Sequence, residues 1–301
     1  MLKIGTRGSL LALRQAHEVA GKLHALHGWS PDDTAIVEIH TSGDMIQDRP
    51  LSEVGGKGLF TKEIEQALFD GRIDVAVHSL KDVETVLPHG TELVAILERE
   101  DVRDVFISRK YRSLQEMPVG ARLGTSSIRR RSQAKFNNPG IECVDFRGNV
   151  QTRLDKLTRG VADATFLARA GLNRLGYDED YFHDVAPAQM LPAVAQGAVA
   201  LQIRSDDEVA RAAVAPLNHQ ETALCVTAER AFLAKLDGSC RAPIAGLAQL
   251  VEGQLRFRGE ILSLDGRQSL KAARDGAPAG AVRMAVEAAA ELLAAAGDDF
   301  F

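Results

Sequence analysis

An α/β architecture of more than one domain is predicted by three observations. The chain has 301 residues, more than one hydrophobic core usually organises. Short apolar stretches alternate with helix-patterned ones from residue 2 to residue 168, the pattern of mostly parallel sheets flanked by helices. From about residue 219 the pattern changes to a long helix followed by alternating stretches, which reads as a small α+β domain.

The elements follow in order. LKIGT (2–6) reads as a strand, and SLLALRQAHEVAGKLHALHG has helical spacing with Ser9 as N-cap and Gly28 as stop. AIVEIH is a strand, LFTKEIEQALFDG a helix and IDVAVHS a strand. A second α/β series starts near residue 102, with strands at VFIS, ARLGTS, IECVDF and ADATFLA and helices after Ser127 and Asn149. KIGTRGSLLALRQ and RLGTSSIRRRSQ echo each other: each runs strand, Gly-Thr, hydroxyl-bearing turn, helix. LPAVAQGAVALQIR (191–204) carries a small-residue turn into an apolar strand, which suggests that the chain returns to its first domain. The expected division is domain 1 at 1–99 with 196–216, domain 2 at 100–195 and domain 3 at 217–301, ending in a helix at 279–296.

The composition, 45% hydrophobic and 26% charged, is that of a soluble globular protein. A net charge of −5 and a pI of about 5.9 argue against a nucleic-acid partner. Arginine is nevertheless dense in SSIRRRSQ, FRGNVQTRLDKLTRG and ARAGLNRLG, which suggests a basic cavity in an acidic protein. The three cysteines, Cys143, Cys225 and Cys240, show no CxxC or Cys/His spacing, so no metal site and a reduced, cytoplasmic setting are expected. Neither a secretory h-region nor a membrane-spanning run is expected.

Several stretches are candidates for chemistry. EVGGKGLFTKE (53–63) fails as a phosphate loop, because Leu51 and Gly58 stand where that motif needs Gly and Ser or Thr. A polar, glycine-rich lid over 42–58, bearing Lys57, competes with a plain glycine turn. VAVHSLKDVET places His78, Ser79, Lys81 and Asp82 at a strand's carboxyl end, where open α/β sheets bind ligands. Asp82 is thus a candidate catalytic carboxylate; the alternative is a turn aspartate paired with Lys81. GTSSIRRRSQ puts Thr125, Ser126 and Ser127 at a helix start ahead of Arg129 and Arg130, a setting for anions that arginine can pair bidentately. Arg131 reads as a solvated face, since successive helical residues point about 100° apart. Cys240, on the Gly-Ser turn of AKLDGSCRAPIAG beside Arg241, is a candidate reactive thiol. Cys143 and Cys225 lie in apolar patterns and read as core, and a metal site at His24 and His27 is disfavoured.

Taken together and in order, GTRGSLLAL, VGGKGLFTKE, VHSLKD, GTSSIRRRSQ, RGNVQTRL, LPAVAQGA, HQETALCVTAERAF and GSCRAPI resemble the porphobilinogen deaminase (hydroxymethylbilane synthase) family over nearly the whole chain. The resemblance implies two periplasmic-binding-protein-like domains around a cleft, with a third presenting a cofactor loop. It implies a monomeric transferase of tetrapyrrole biosynthesis that joins four porphobilinogens head to tail, releases ammonia each time and frees a linear hydroxymethylbilane. It also implies a dipyrromethane cofactor bound to Cys240 through a thioether.

By the same resemblance Asp82 stabilises the positive charge that develops as ammonia leaves and helps to pass the proton. Lys81, Asp82, Thr125, Ser126, Ser127, Arg129, Arg130 and Arg147 are expected at the cofactor. Arg7, Ser9, Arg147, Arg153, Arg174 and Gln196 are expected at the substrate, with Lys57 on the lid. Two carboxylates on each of six rings imply a polyanion that shifts between arginines as it grows, with movement of domains or of the lid. Glu53 stands where some members of that family have lysine, Ala195 where glycine is common, and Arg169 in a segment usually more apolar; these departures bear on the lid's charge, the turn before Gln196 and the surroundings of Arg174. Two other readings use the same arginines: a receptor for a small anion, which needs neither Cys240 nor Asp82, and an RNA binder, disfavoured by the acidic pI and by 5% aromatics.

Overall fold

The computed structural model describes residues 1–45, 61–236, 242–297 and 300. Lys57, Glu53 and Cys240 lie outside these residues, as does the expected lid beyond Met45. The chain divides into two compact units, Met1–Glu100 with Gly197–Ala223 and Asp101–Gln196 with Leu224–Phe301.

The first unit opens with β1 (Leu2–Arg7) and α1 (Leu10–His27). Ser9 caps α1 by accepting the Ala12 N–H at 3.3 Å, and Gly28 closes it at φ +67°. A left-handed cap of this kind suits glycine, which has no Cβ to clash. β2 (Thr34–Ile39), α2 (Lys62–Phe69), β3 (Val75–Ser79) and β4 (Thr91–Ile96) follow. Ala16, Val19, Ala20 and Leu23 on α1 cover one face of the sheet, while Ile64, Ala67 and Leu68 on α2 cover the other. Burial on both faces is why these strands read as nearly continuous apolar runs.

The second unit begins with β5 (Asp104–Ile107), β6 (Arg122–Gly124) and α3 (Ile128–Asn137). It continues through β7 (Glu142–Val144), α4 (Val150–Thr158), β8 (Ala164–Ala168), α5 (Arg169–Leu175) and β9 (Phe182–Val185). Ser127 and Asn149 cap α3 and α4 with their side chains, as their place before each helical pattern predicts. The chain then returns to the first unit with β10 (Val199–Arg204) and α6 (Glu208–Val214).

The strand orders are β2-β1-β3-β10-β4 and β7-β6-β8-β5-β9. In each, the first three strands are parallel and the fourth runs antiparallel between its neighbours. The two sheets are therefore topologically equivalent, with β1 matching β6 and α1 matching α3, so the sequence echo marks equivalent places in the fold. Each unit supplies the antiparallel strand on the far side of a crossing of the chain, β5 after β4 and β10 after β9.

The long helix α7 (Gln220–Lys235) leads to an antiparallel meander of β11 (Ile244–Val251), β12 (Gln254–Leu262) and β13 (Ser269–Gly276), closed by α8 (Ala281–Ala296). Gly246 and Gly259 pair across β11 and β12. A Cβ at Gly259 would stand 2.6 Å from the Phe232 ring of α7, so the two glycines seat the helix on the sheet. Met284, Ala285, Ala288, Ala289 and Leu292 form the buried stripe of α8. β4, β9, α5, α6, β11 and β13 were not separately read from the sequence; α5 and α6, of seven residues each, span barely two helical turns and set no clear period.

Ala195 adopts φ +58°, the left-handed region, which explains the glycine expected at this position of the turn. The conformation costs an L-residue roughly 1–2 kcal/mol. Its buried methyl (1% exposed) and the greater chain entropy of glycine, roughly 0.5–1 kcal/mol, act in the opposite sense. Ala195→Gly is expected to leave stability within about 0.5 kcal/mol of the parent. Ala200→Gly, in the interior of β10, is expected to lose about 1–2 kcal/mol. Urea unfolding of both variants checks this, and equal losses at the two positions would contradict it.

Candidate functional site

In the first unit, the carboxyl ends of β1 and β3 carry the candidate residues. Arg7 ends β1, and Ser9 starts α1 two residues on. β3 passes into a single 3-10 turn, Leu80–Asp82. Leu80 is buried and donates its N–H to the Ala198 carbonyl at 3.0 Å. The turn is thus pinned from below, and Lys81 and Asp82 stand exposed beyond the strand, where sheets of this class present functional groups. Ser79 is fixed by Gln15 of α1, whose Nε2 lies 2.9 Å from its hydroxyl.

His78 is buried behind this turn, with Nε2 at 2.9 Å from Gln202 Oε1. Burial lowers its pKa to about 4, and the charge of Arg7 acts in the same direction, against the hydrogen bond to Gln202. The ring is therefore neutral at neutral pH and serves as a hydrogen-bonding support.

In the second unit, the ends of β6 and β7 bring two helix starts together. The Thr125 N–H donates to the Val144 carbonyl at 2.9 Å, and the Phe146 N–H donates to the Ser126 hydroxyl at 3.0 Å. Gly124 is required here, since a Cβ would lie 2.5 Å from the Phe146 ring. Arg147 and Arg153 are half-buried around the start of α4, and Arg153 Nε donates to the Gly148 carbonyl at 2.9 Å. Arg174 is half-buried near the end of α5. Arg169 is held by Asp184 and Asp178, so its added charge is neutralised locally.

The centre of this unit is Asp104, fully buried at the start of β5. Its Oδ2 accepts from Arg129 Nη2 at 2.7 Å, and its Oδ1 accepts from Arg130 Nη2 at 2.7 Å and from Gln196 Nε2 at 3.0 Å. Burial alone would raise its pKa, but the two guanidinium charges and their hydrogen bonds prevail and hold it well below the usual carboxylate range. Arg129 Nη1 donates to Gln133 Oε1 and the Leu191 carbonyl, both at 2.9 Å, and Arg130 Nη1 donates to the Phe166 carbonyl at 2.8 Å.

Every terminal nitrogen of Arg129 and Arg130 thus has a protein acceptor. What remains unspent is the Nε–H of each, buried and without an acceptor among the described residues. Two orphaned donors behind a hydroxyl-bearing helix start suit a carboxylate. Arg131 pairs with Asp145 on the surface, as its place on the helix predicts. Gln196, expected at the substrate, lies in the buried cluster around Asp104. Sequence reasoning missed Asp104. Its signal was an aspartate opening an otherwise apolar central strand, which demands a buried countercharge.

Cys225 is buried and Cys143 half-buried, and burial raises the pKa of the Cys143 thiol, consistent with packing roles.

Residues 2–212 match the family model described as "Porphobilinogen deaminase, dipyromethane cofactor binding domain", and residues 223–294 match the C-terminal domain of the same family. The porphobilinogen deaminase of Paracoccus denitrificans (strain Pd 1222) is 52% identical over 300 residues, covering 100% of this chain and 96% of that protein. The chain belongs to the porphobilinogen deaminase family. The porphobilinogen deaminase of Nitrobacter winogradskyi is 52% identical over 298 residues, covering 99% of this chain and 94% of its own length. Among solved structures, the methionine-binding protein MetQ is 12% identical, covering 72% of this chain and 89% of that one, at a TM-score of 0.42, a distant likeness that carries no argument. The family is one of enzymes of tetrapyrrole biosynthesis that use a dipyrromethane cofactor. No helix among the described residues is long and apolar enough to cross a membrane.

His78 gives this site a measurable pH signature. Between about pH 6.5 and 4 the unfolded chain binds a proton at His78 that the folded chain does not. Stability contributed by the neutral ring is therefore present above this window and lost as pH falls through it. Urea unfolding at pH 7 and pH 5 should show that His78→Gln loses about 2 kcal/mol less than the parent over this interval. Equal losses would show that His78 is not held neutral by the fold.

Proposed function

We propose that the chain is a transferase that condenses four porphobilinogens head to tail into hydroxymethylbilane, with Cys240 holding the cofactor through a thioether and Asp82 as the catalytic carboxylate. The observation that carries this reading is the full-length family match together with Asp82 and Lys81 exposed at the carboxyl end of β3. When bound, the dipyrromethane supplies the free pyrrole carbon that primes the chain.

The protein's own residues do the rest. The leaving amine of porphobilinogen must take up a proton before its C–N bond breaks, and the pyrrole left behind is cationic. Asp82 accepts the pyrrole N–H and stabilises that charge, and it passes the proton. Arg7 and the helix start at Ser9 bind the carboxylates of the incoming substrate, with Arg147, Arg153 and Arg174 as further counter-ions. The cofactor's carboxylates are held by the Thr125–Ser127 helix start and by the unspent Nε–H donors of Arg129 and Arg130. Lys81 adds a positive charge beside Asp82 for the cofactor's carboxylates. Gln196 acts through Asp104 in this scheme. The chain works as a cytoplasmic monomer.

Intact-mass measurement tests the assignment. The parent should exceed its sequence mass by one dipyrromethane, and Cys240→Ala should lose both the added mass and turnover. Asp82→Asn should keep the added mass and turn over about 10²- to 10⁴-fold more slowly. An unmodified parent that still makes hydroxymethylbilane would contradict the cofactor assignment, and full turnover by Asp82→Asn would remove Asp82 from its role.

A further inference from the structure

The helix that carries Arg129 and Arg130 is held from its far side by the β11–β13 meander. Gln133 lies one turn after Arg129 on α3, so the two side chains share a face. Gln133 Oε1 accepts from Arg129 Nη1 at 2.9 Å, and Gln133 Nε2 donates to Glu260 Oε2 of β12 at 2.7 Å. Gln133 and Glu260 are 2% and 4% exposed, so solvent does not compete for these bonds. Glu260 Oε1 accepts from the Ser269 hydroxyl at 2.7 Å, and Lys271 Nζ lies 3.5 Å away.

The turn between β12 and β13 fixes the distance between meander and helix. Gly266 has φ +73°, and a Cβ there would lie 2.5 Å from Lys135 Cβ and 2.7 Å from the Ser132 carbonyl. Only a glycine lets the turn approach the backbone of α3 this closely. Glu260 is thus carried to a set distance from Gln133 by contact with the helix itself. A second strap converges on the same arginine. The Leu191 carbonyl accepts from Arg129 Nη1 at 2.9 Å and from Gln133 Nε2 at 3.1 Å, and the Pro192 carbonyl accepts from the Gly246 N–H of β11 at 3.1 Å.

A buried carboxylate joined through one amide to a buried guanidinium does more than fill space. The amide has one acceptor and one donor end; both oxygens of Glu260 accept, one from Gln133 and one from Ser269, so the donor end faces Glu260 and the acceptor end faces Arg129. With the amide oxygen toward the arginine, Nη1 is held by Gln133 and the Leu191 carbonyl, Nη2 is left for Asp104, and the guanidinium is fixed in place with its Nε–H unspent. We propose that Gln133 and Glu260 are positioning residues for the cofactor site: the C-terminal meander sets the orientation of Arg129 through a Glu260–Gln133–Arg129 relay, and so sets the rate at which the cofactor is taken up. This rests on the reading that Arg129 and Arg130 hold the cofactor's carboxylates.

The relay can be broken and rebuilt. Gln133→Glu places two carboxylates face to face. Combining it with Glu260→Gln restores one carboxylate and one amide, now with the carboxylate at 133 accepting from both Arg129 and the amide at 260. The measurement is the rate at which adduct-free chain, produced in cells unable to make porphobilinogen, gains the dipyrromethane mass when porphobilinogen is added, with melting temperature as the check on folding. Gln133→Glu should load about ten-fold more slowly than the parent, and the double variant should recover to within about two-fold of it. Should Gln133→Glu not fold, Gln133→Met, which keeps the volume and removes both bonds, should show the same ten-fold loss.

Loading of the single variants at the parent rate, or a double variant no faster than Gln133→Glu, overturns the relay. A parent chain that gains no mass contradicts the underlying cofactor reading itself. A parent that loads, with variants that load alike, contradicts only this inference.

Discussion

The buried pairing of Asp104 with Arg129 and Arg130 is the interaction on which the second unit's site depends. Two adjacent guanidinium groups inside a protein repel one another and lose their hydration, and one carboxylate between them offsets much of both penalties. Asp104 cannot do this from the surface; it must open β5, the antiparallel strand beside β8, so that its carboxylate meets the side chains of α3. The cluster of one carboxylate and two guanidiniums retains a net positive charge in a region of low dielectric. A bound carboxylate would therefore gain more there than on a solvated arginine face.

The equivalence of the two sheets puts this in context. β1 with α1 and β6 with α3 occupy the same place in their sheets, and each helix start follows a strand's carboxyl end. In the first unit that place carries Arg7 and the Ser9 cap, beside an exposed Asp82. In the second it carries the hydroxyl-bearing turn and the anchored arginines. One topology thus presents an exposed carboxylate at one strand end and anchored, buried arginines at the other, and the residues behind each strand end decide which. His78 and Gln202 support the first through neutral hydrogen bonds, and Asp104 supports the second through charge.

Much of this was legible in the sequence where a local rule acts alone. Ser9, Gly28, Ser127 and Asn149 sit at helix ends because caps depend on a few neighbouring residues, and Asp82 falls beyond β3 because strand ends are set by short apolar runs. The partners of Arg129 and Arg130 were not legible, because Asp104 and Leu191 come from distant parts of the chain and only the fold brings them together. The same holds for Glu260, whose position reads as an ordinary alternating strand residue. Ala195 was flagged by its departure from glycine, yet its left-handed backbone and the Glu229 carboxylate that accepts its N–H at 2.6 Å are tertiary facts.

Whether Asp104 holds the paired arginines in the geometry that accepts the cofactor is tested most directly by comparing the fraction of purified chains carrying the dipyrromethane mass in the parent and in Asp104→Asn, at a temperature where both are folded by circular dichroism. The account predicts that Asp104→Asn folds with reduced stability and that most of its chains lack the added mass. An Asp104→Asn protein as fully loaded as the parent would contradict it.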